Sequence, residues 1–184
     1  MANRVSNKLT PVSESIYCCR SGSAADTQAI SDYVRMYLDM HEAELGRSAD
    51  VLTAATLFAQ MIYRNKEQLS AGIICGGWDR AHGGSVYNIP QGGALVRQPW
   101  AIGGSGSTYI WGWCDANYRD DMTREQCEQF VRTGLALAMA RDGSSGGVIR
   151  TVTIDAAGVE RKFVAGNMLP TFFTGEPMEL NKDL

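Results

Sequence analysis

The sequence has 184 residues, of which 45% are hydrophobic and 20% charged, a composition typical of one globular domain. Its 17 Lys and Arg against 20 Asp and Glu give a net charge of -3, so no basic surplus favours nucleic acid as a partner. No apolar run approaches the roughly 18 residues of a membrane-spanning helix, and the start has no apolar signal segment. The composition predicts a soluble chain without a signal peptide or a membrane partner.

The histidines and cysteines limit the chemistry that this chain can perform. The five cysteines are Cys18, Cys19, Cys75, Cys114 and Cys127. None has a C-x-x-C partner or a histidine at metal-ligand spacing, which predicts reduced thiols in a core and no metal site. His41 lies in a helical pattern and His82 beside two glycines in a predicted turn. A hydrolase built on this chain is therefore expected to use a base other than histidine.

The amino-terminal third predicts one strand followed by two helices. Residues 15–20 form a short β-prone run, and a turn of small residues follows them. Apolar residues three and four apart over 24–45 predict a long amphipathic helix that Gly46 ends. Asp50 is a predicted N-cap for a second helix that reaches about Leu69. The two helices are expected to form an antiparallel pair.

The rest of the chain predicts an antiparallel meander, a third helix and a hairpin. Four short segments separated by Gly and Pro predict the meander: 71–79, 84–89, 93–97 and 100–103. A capping-box pattern at 123–126 opens a helix that ends near Arg141. Two alternating segments, 148–154 and 159–164, predict the hairpin, and a polar tail covers 175–184. This order predicts a single α+β domain over 1–184, with helices layered on antiparallel sheet.

Taken alone, the glycine-rich segments and the isolated cations are ambiguous. Residues 103–108 suggest a phosphate-binding loop but lack the Gly-Lys-Ser/Thr ending and the G-x-G-x-x-G spacing. Residues 142–147 are compatible with an anion-binding nest or with a plain turn. Lys8 and Arg20 are single cations near β segments, a pattern typical of solvated surface residues. A nucleotide-binding α+β domain remains one alternative at this point.

Four segments carry a specific resemblance: ANRVSNKLTP (2–11), CCRSGSAADTQA (18–29), AIGGSGS (101–107) and ARDGSSGGVIR (140–150). Together they resemble one family, the β subunits of the proteasome, and specifically the β1, caspase-like type. The resemblance implies the N-terminal-nucleophile hydrolase fold, a four-layer αββα sandwich of two antiparallel sheets between helical layers. It also implies assembly with other proteasome β subunits and the α ring in a stacked hetero-oligomeric barrel, in cytoplasm and nucleus. Its substrates would be polypeptides, with no cofactor, metal, nucleic acid or membrane involved.

The resemblance implies threonine-type proteolysis. In this family the hydroxyl of an N-terminal threonine attacks the peptide carbonyl, while its own α-amine, helped by a lysine, handles the proton. Lys8 matches that lysine. The polar set around the nucleophile is matched by Ser105, Asp142 and Ser145, and the backbone N–H of Gly22 matches the oxyanion donor.

The resemblance also implies a preference for acidic residues before the scissile bond. Arg20 matches the position that forms the floor of the specificity pocket, where a guanidinium would pair with an Asp or Glu side chain. Other pocket-lining and peptide-contacting positions are matched by Ser6, Thr10, Ala24 and Gln28. Ser6 departs from the threonine that is common in the family.

The main departure from the family is at the start of the sequence. The sequence begins inside the family's motif, so the first strands, with the threonine nucleophile and a supporting aspartate, are expected to precede Met1. The chain as written would be inactive by itself. An N-terminally incomplete sequence is the favoured interpretation, and a non-catalytic structural subunit of the same ring is the alternative.

Overall fold

The computed structural model describes residues 3–170 and Phe172. The strands are β1 (Leu9–Ser13), β2 (Ile16–Gly22), β3 (Ala71–Asp79), β4 (Gly83–Ile89), β5 (Val96–Arg97), β6 (Ile149–Asp155) and β7 (Gly158–Val164). The helices are α1 (Ala24–Leu45), α2 (Val51–Arg64), α3 (Trp111–Asn117) and α4 (Arg124–Arg141), with 3-10 turns at Ser105–Tyr109 and Gly166–Met168. The predicted polar tail at 175–184 lies outside the described residues. Within the described part, no helix has the length and hydropathy needed to cross a membrane.

The elements form four layers. Strands β1 to β5 make an antiparallel sheet in chain order, and β6 pairs with β7 as a separate antiparallel hairpin. Helices α1 and α2 pack on one face of the five-stranded sheet, while β6 contacts β1, β3 and β4. Helix α4 contacts β6 from the outer side. The α+β sandwich of two antiparallel sheets between helical layers is therefore confirmed.

The main core lies between the five-stranded sheet and its two helices. In β3 the side chains of Ala71, Ile73 and Cys75 are buried, as the alternation of a strand requires when one face meets the core. The largest fully buried side chains include those of Phe58, Ile16, Leu38, Ile62, Ile73 and Ile89. Each such side chain contributes about 1.5–3 kcal/mol by leaving water. This core holds the sheet rigidly against α1, and the end of that sheet carries the candidate site.

Several predicted element boundaries are confirmed by local signals. Helix α1 spans the predicted residues, and Gly46 ends it with φ +65° and a backbone N–H bond to the Glu42 carbonyl at 2.9 Å. Thr123 and Gln126 exchange both bonds of the predicted capping box. The β6–β7 hairpin and the turn at His82 also form as predicted.

Other element predictions are wrong, and tertiary packing explains most of them. Helix α2 ends at Arg64 instead of continuing to Leu69, and a turn follows it. The predicted strand at 100–103 does not form, because Trp100 and Ile102 pack instead against a second core beside α3 and α4. Only the last two residues of the predicted strand at 93–97 pair with β4. Strand β1 and helix α3 were not predicted at all.

The prediction that all cysteines lie in a core is wrong for two of them. Cys18, Cys75 and Cys114 are buried thiols, whereas Cys19 and Cys127 are exposed. Cys19 lies on the sheet face opposite to the helices, one residue from buried Cys18, because successive strand residues alternate between faces. All five are free thiols.

Helix α2 is capped from a distance by Asp79, the last residue of β3. The Val51 N–H donates to Asp79 Oδ2 at 3.1 Å, and the His82 N–H donates to Oδ1 at 2.7 Å. Burial raises the pKa of the Asp79 carboxyl, but these hydrogen bonds outweigh burial and hold its pKa below the usual value. Asp50 occupies the N-cap position, yet its side chain makes no bond to the helix.

Replacing Asp79 by alanine is expected to lower the free energy of unfolding by about 1–3 kcal/mol, since the buried Val51 N–H and the partly buried His82 N–H lose their acceptor. Pulse proteolysis of the unassembled chain in increasing urea, read by immunoblot, measures the change. Asp50→Ala is the matched control and is expected to change stability by less than about 0.5 kcal/mol. Equal losses in the two variants would show that Asp79 does not cap α2.

Helix α4 is tied to the hairpin by an ionic cluster centred on Glu128. Its carboxylate accepts from Lys162 Nζ at 2.6 Å, from Thr153 Oγ1 at 2.9 Å and from Arg124 Nε at 3.3 Å. The hydrogen bond from Lys162, followed by that from Thr153, lowers the pKa of Glu128 to about 2. Because this pKa lies below the unfolded value of about 4.3, the cluster stabilises the fold at neutral pH.

Glu128→Gln is expected to destabilise the chain at pH 6 and to have a diminishing effect as the pH falls. The lowered pKa of Glu128 stabilises the fold fully at pH values above the pKa of a glutamate in the unfolded chain, about 4.3. This stabilisation is lost as the pH falls through about 2. Urea midpoints of wild type and variant, measured from pH 6 to pH 2, should therefore converge. Asp115→Asn, at an exposed carboxylate on α3, serves as the control. A difference in urea midpoint that stays constant from pH 6 to pH 2 would show that the lowered pKa of Glu128 does not stabilise the fold.

Candidate active site

The ends of β1 and β2 bring two of the predicted site residues side by side. Lys8 immediately precedes β1, and Arg20 lies near the end of β2. The Arg20 N–H donates to the Lys8 carbonyl at 3.1 Å, which continues the antiparallel pairing of the two strands. Gly22 ends β2, and Ala24 begins α1 on the same edge of the sheet.

A buried carboxylate gathers the predicted polar set. Asp142 follows the last turn of α4, Ser105 begins the 3-10 turn, and Ser145 lies in the loop before β6. Asp142 Oδ2 accepts a hydrogen bond from Ser105 Oγ at 2.6 Å and another from Ser145 Oγ. Its Oδ1 accepts from the Ser144 N–H at 3.2 Å. Residues 37 positions apart in the chain thus form one hydrogen-bonded cluster.

The cluster holds Asp142 ionised at neutral pH. The hydrogen bond from Ser105, then that from Ser145, lowers the pKa of the Asp142 carboxyl, and the positive charge of Lys8 lowers it further. Each of the two serine hydroxyls donates its proton in a hydrogen bond to this carboxylate, so its oxygen can take part in further hydrogen bonds only as an acceptor. The arrangement can therefore receive an ammonium group or a water molecule, next to a carboxylate that also feels the positive charge of Lys8.

Glycine is required at Gly22, the predicted oxyanion donor. Its φ is +96°, and a Cβ atom there would lie 2.4 Å from the Ser70 carbonyl oxygen. The next residue, Ser23, is the N-cap of α1, and its side chain accepts from the Asp26 N–H at 3.3 Å. The Gly22 amide therefore lies beside the positive end of a 22-residue helix, a location that favours developing negative charge.

The Arg20 guanidinium is held by carbonyl groups and has no acidic partner among the described residues. One terminal nitrogen donates to the Asn7 carbonyl at 3.2 Å and the other to the Ala24 carbonyl at 3.4 Å. Its Nε is buried without a hydrogen-bond partner. No carboxylate lies within 4.0 Å of it in the described part of the chain. The two carbonyl groups thus fix the orientation of the Arg20 side chain, and no carboxylate among the described residues neutralises its charge.

The other predicted pocket residues are less closely connected to this guanidinium. Ala24 contributes its carbonyl, whereas Ser6, Thr10 and Gln28 make no hydrogen bond to Arg20. Ser6 and Gln28 are exposed, and Thr10 is half-buried in β1. Their roles in a pocket remain predictions. Across residues 3–170, no group of His, Cys, Asp and Glu side chains could hold a metal ion.

Sequence reasoning missed two contributors to the site. Asn7 orients Arg20 through its backbone carbonyl, for which side-chain identity gives no signal. Gly106 lets the 3-10 turn approach α4 and the Asp142 cluster, because a Cβ atom there would lie 3.2 Å from Ala138 Cβ on α4 and 3.0 Å from Ser145 Oγ. In the sequence, the signal for this close approach was the small residue between Ser105 and Ser107.

The glycine-rich segments have a different role from phosphate binding. Residues 105–109 form the 3-10 turn, and Ser105 donates to a carboxylate, which would repel a phosphate. The loop after α4 is a turn closed by the Ser145 N–H bond to the Asp142 carbonyl at 3.1 Å. Of the two interpretations of residues 142–147, the turn is the one observed.

Comparison with known proteins identifies the family. The family model described as "Proteasome subunit" matches residues 1–154. The chain belongs to the proteasome subunit family. It is 63% identical over 175 residues to "Proteasome subunit beta type-6" of Dictyostelium discoideum, covering 95% of this chain and 82% of that protein.

Two further relatives agree on the β type. "Probable proteasome subunit beta type-1" of Schizosaccharomyces pombe is 53% identical, over 94% of this chain and 77% of the relative. "Proteasome subunit beta type-9" of Homo sapiens is 50% identical, over 94% of this chain and 78% of the relative. The chain is therefore a proteasome β subunit, and the predicted membership of this family is confirmed. The names type-6, type-1 and type-9 do not by themselves assign a cleavage preference.

Proposed function

We propose that this chain is the β1-type subunit of the 20S proteasome core, a threonine endopeptidase that cleaves polypeptides after acidic residues. The observation that carries the proposal is the uncompensated Arg20 guanidinium at the end of β2. An arginine is always charged, and a partly buried cation without an anion favours a ligand that supplies one. A substrate Asp or Glu side chain fits this requirement, because a carboxylate accepts parallel hydrogen bonds from a guanidinium.

The neighbouring residues support acyl transfer by a threonine. The Lys8 ammonium beside the threonine hydroxyl would lower the cost of forming an alkoxide and would help the threonine α-amine to act as base. The Ser105 and Ser145 oxygens would accept hydrogen bonds from that amine and from a water molecule, with Asp142 fixing both hydroxyls. The Gly22 N–H would stabilise the oxyanion of the tetrahedral intermediate. The family resemblance assigns the threonine itself to the mature N-terminus.

The proposed partners are the other β subunits and the α ring of the same barrel, with unfolded or ubiquitin-targeted proteins as substrates in cytoplasm and nucleus. A surface with many large apolar side chains supports assembly, since monomeric proteins rarely expose contiguous apolar patches. Exposed residues of this kind on α1 and α2 include Tyr33, Met36, Tyr37, Met40, Leu45, Leu52 and Tyr63. Family membership points to the same conclusion.

The native chain is expected to occur in large particles and not as a monomer. Size-exclusion chromatography of a native extract, followed by immunoblotting for this chain, measures the distribution. Nearly all of the signal should elute with the particle, because isolated subunits would expose their apolar helix faces to water. A stable monomer as the main form would contradict the proposal.

N-terminal sequencing of the chain from those particles tests the catalytic part. A mature N-terminal threonine, together with cleavage of peptides ending in Asp, is the expected result. Another N-terminal residue in assembled particles would favour the non-catalytic structural subunit instead. Assembly and catalysis are therefore tested separately.

A further inference from the structure

The turn between β2 and α1, which contains Gly22, is fixed from the loop that precedes β3. The Ser23 N–H donates to the Ser70 carbonyl at 2.8 Å, which extends the antiparallel pairing of β2 and β3 by one step. The same carbonyl oxygen packs against Gly22, because a Cβ atom on that residue would lie 2.4 Å from it. The peptide group between Gly22 and Ser23 is therefore held by Ser70, a residue far along the chain.

Asp26, in the first turn of α1, holds Ser70 from the other side. The Ser70 N–H donates to Asp26 Oδ2 at 3.0 Å. No cationic side chain lies within 4.0 Å of this carboxylate among the described residues. Asp26 therefore binds an amide group of a neighbouring loop and does not serve as the partner of a surface cation.

The segment from Ser23 to Asp26 has the sequence pattern of a capping box, but its hydrogen bonds run through Ser70. The first bond of such a box is present, since the Asp26 N–H donates to Ser23 Oγ at 3.3 Å. The second would join the Ser23 N–H directly to the Asp26 carboxylate. Here the Ser70 backbone lies between them, accepting from Ser23 and donating to Asp26. We call Ser23, Asp26 and Ser70 the Ser70 bridge.

We propose that Asp26 is a positioning residue for the oxyanion donor and acts through the Ser70 bridge. The proposal rests on the role of the Gly22 N–H stated under Proposed function and adds a residue outside the set given there. Gly22 has a φ of +96° and no side chain, so its own conformation does little to fix the peptide groups on its two sides. The ladder with β3 fixes the peptide group before it, and Ser70 fixes the one after it.

Loss of the Asp26 carboxylate would release this second restraint. The Ser70 N–H would bond to water, since Ser70 is exposed, and its carbonyl would no longer hold the Ser23 N–H in one place. The Gly22 N–H would then leave the direction that a tetrahedral intermediate requires. A donor must lie about 2.7–3.1 Å from the oxyanion, so a small displacement weakens catalysis while the fold persists.

Asp26→Ala is expected to lower kcat about tenfold to a hundredfold, which is less than the roughly 10²–10³-fold cost of removing a whole oxyanion donor. KM should stay within about twofold, because the donor acts on the transition state more than on bound substrate. The measurement uses a fluorogenic peptide ending in Asp and assembled particles whose other catalytic subunits have been inactivated. Incorporation of the variant is verified by native gel. If Asp26→Ala does not assemble, Asp26→Ser takes its place, since its side chain is too short to reach the Ser70 amide.

Asp26→Asn is the matched rescue variant. Its amide oxygen can still accept from the Ser70 N–H, although the negative charge is gone. We therefore expect Asp26→Asn to keep kcat within about threefold of wild type. A peptide boronate with an acidic side chain gives a second readout, because its tetrahedral adduct with the threonine hydroxyl places an oxygen at the oxyanion position. Its affinity should fall with kcat in Asp26→Ala and stay near the wild-type value in Asp26→Asn.

Two controls separate positioning from general effects on the fold. Gln91→Ala removes a side chain that donates to Ser70 Oγ at 3.4 Å but leaves both backbone bonds of the Ser70 bridge, so kcat should not change. Asp79→Ala weakens the cap of α2 far from Gly22 and should lower stability without lowering kcat in assembled particles.

The possible results distinguish this proposal from the proposed function. Wild-type kcat in Asp26→Ala, an equal loss in Asp26→Asn, or an unchanged boronate affinity despite a lower kcat would overturn the positioning role alone. A loss of kcat of the same size in Asp79→Ala would also overturn it, because general destabilisation would then explain the effect. Wild-type particles that do not cleave the Asp peptide would overturn the proposed function and this role together.

Discussion

Replacing Lys8 by alanine is expected to lower peptide cleavage by this subunit by roughly 10²–10⁴-fold, the usual contribution of a positioned proton-transfer group. The change removes the cation beside the proposed nucleophile and little packing, because Lys8 is an exposed residue just before β1. The measurement is kcat/KM for a fluorogenic peptide ending in Asp, in assembled particles whose other catalytic subunits have been inactivated. Removal of a propeptide by the subunit itself should fail as well.

Two variants make the Lys8 result interpretable. Lys66→Ala removes an exposed lysine that lies over the Tyr63 ring and should leave turnover unchanged. Lys8→Arg keeps the positive charge but cannot release a proton near neutral pH, so it separates electrostatic stabilisation from proton transfer. Near-normal turnover of Lys8→Ala in particles of normal composition would show that Lys8 has been assigned the wrong role.

The elements with strong local signals were predictable from sequence. The capping box at Thr123 and the left-handed Gly46 set the boundaries of α4 and α1 through bonds between near neighbours in the chain. Strand β1 has no such signal, since it contains Pro11 and a register irregularity between Pro11 and Ser13. Helix α3 has only seven residues and depends on packing of Cys114 and Trp113 in the second core.

Residue types and local patterns alone did not predict the candidate site. Its residues could be located in the sequence only through the family resemblance. Lys8 and Arg20 look like solvated surface cations in their local sequence, and the pairing of β1 with β2 is what places them together. Ser105 and Asp142 meet because the 3-10 turn packs on α4, a long-range contact that no local pattern encodes. The information that assembles the site lies in strand register and layer packing, and periodicity reports neither.

Arg20→Met is expected to reverse the substrate preference proposed for this subunit, from acidic to apolar residues, without abolishing catalysis. A substrate carboxylate can accept two hydrogen bonds from the guanidinium, whereas an aliphatic side chain would leave that charge unpaired. A hydrogen bond to a charged group contributes roughly 1.5–3 kcal/mol, which corresponds to about tenfold to a hundredfold discrimination. In the variant the apolar methionine removes this advantage, while Lys8 and the Asp142 cluster are unchanged.

The reversal is measured as the ratio of kcat/KM for matched fluorogenic peptides ending in Asp and in Leu. Particles are used in which the other catalytic subunits have been inactivated, so that the ratio reports this site alone. Arg47→Met, at an arginine whose side chain is 63% exposed, is the control and should keep the wild-type ratio. Arg20→Lys retains the charge but loses the planar fork, so its ratio should fall between those of wild type and Arg20→Met. An Asp-to-Leu ratio that is equal in wild type and Arg20→Met would mean that Arg20 does not contact the substrate side chain, and the caspase-like assignment would then be wrong.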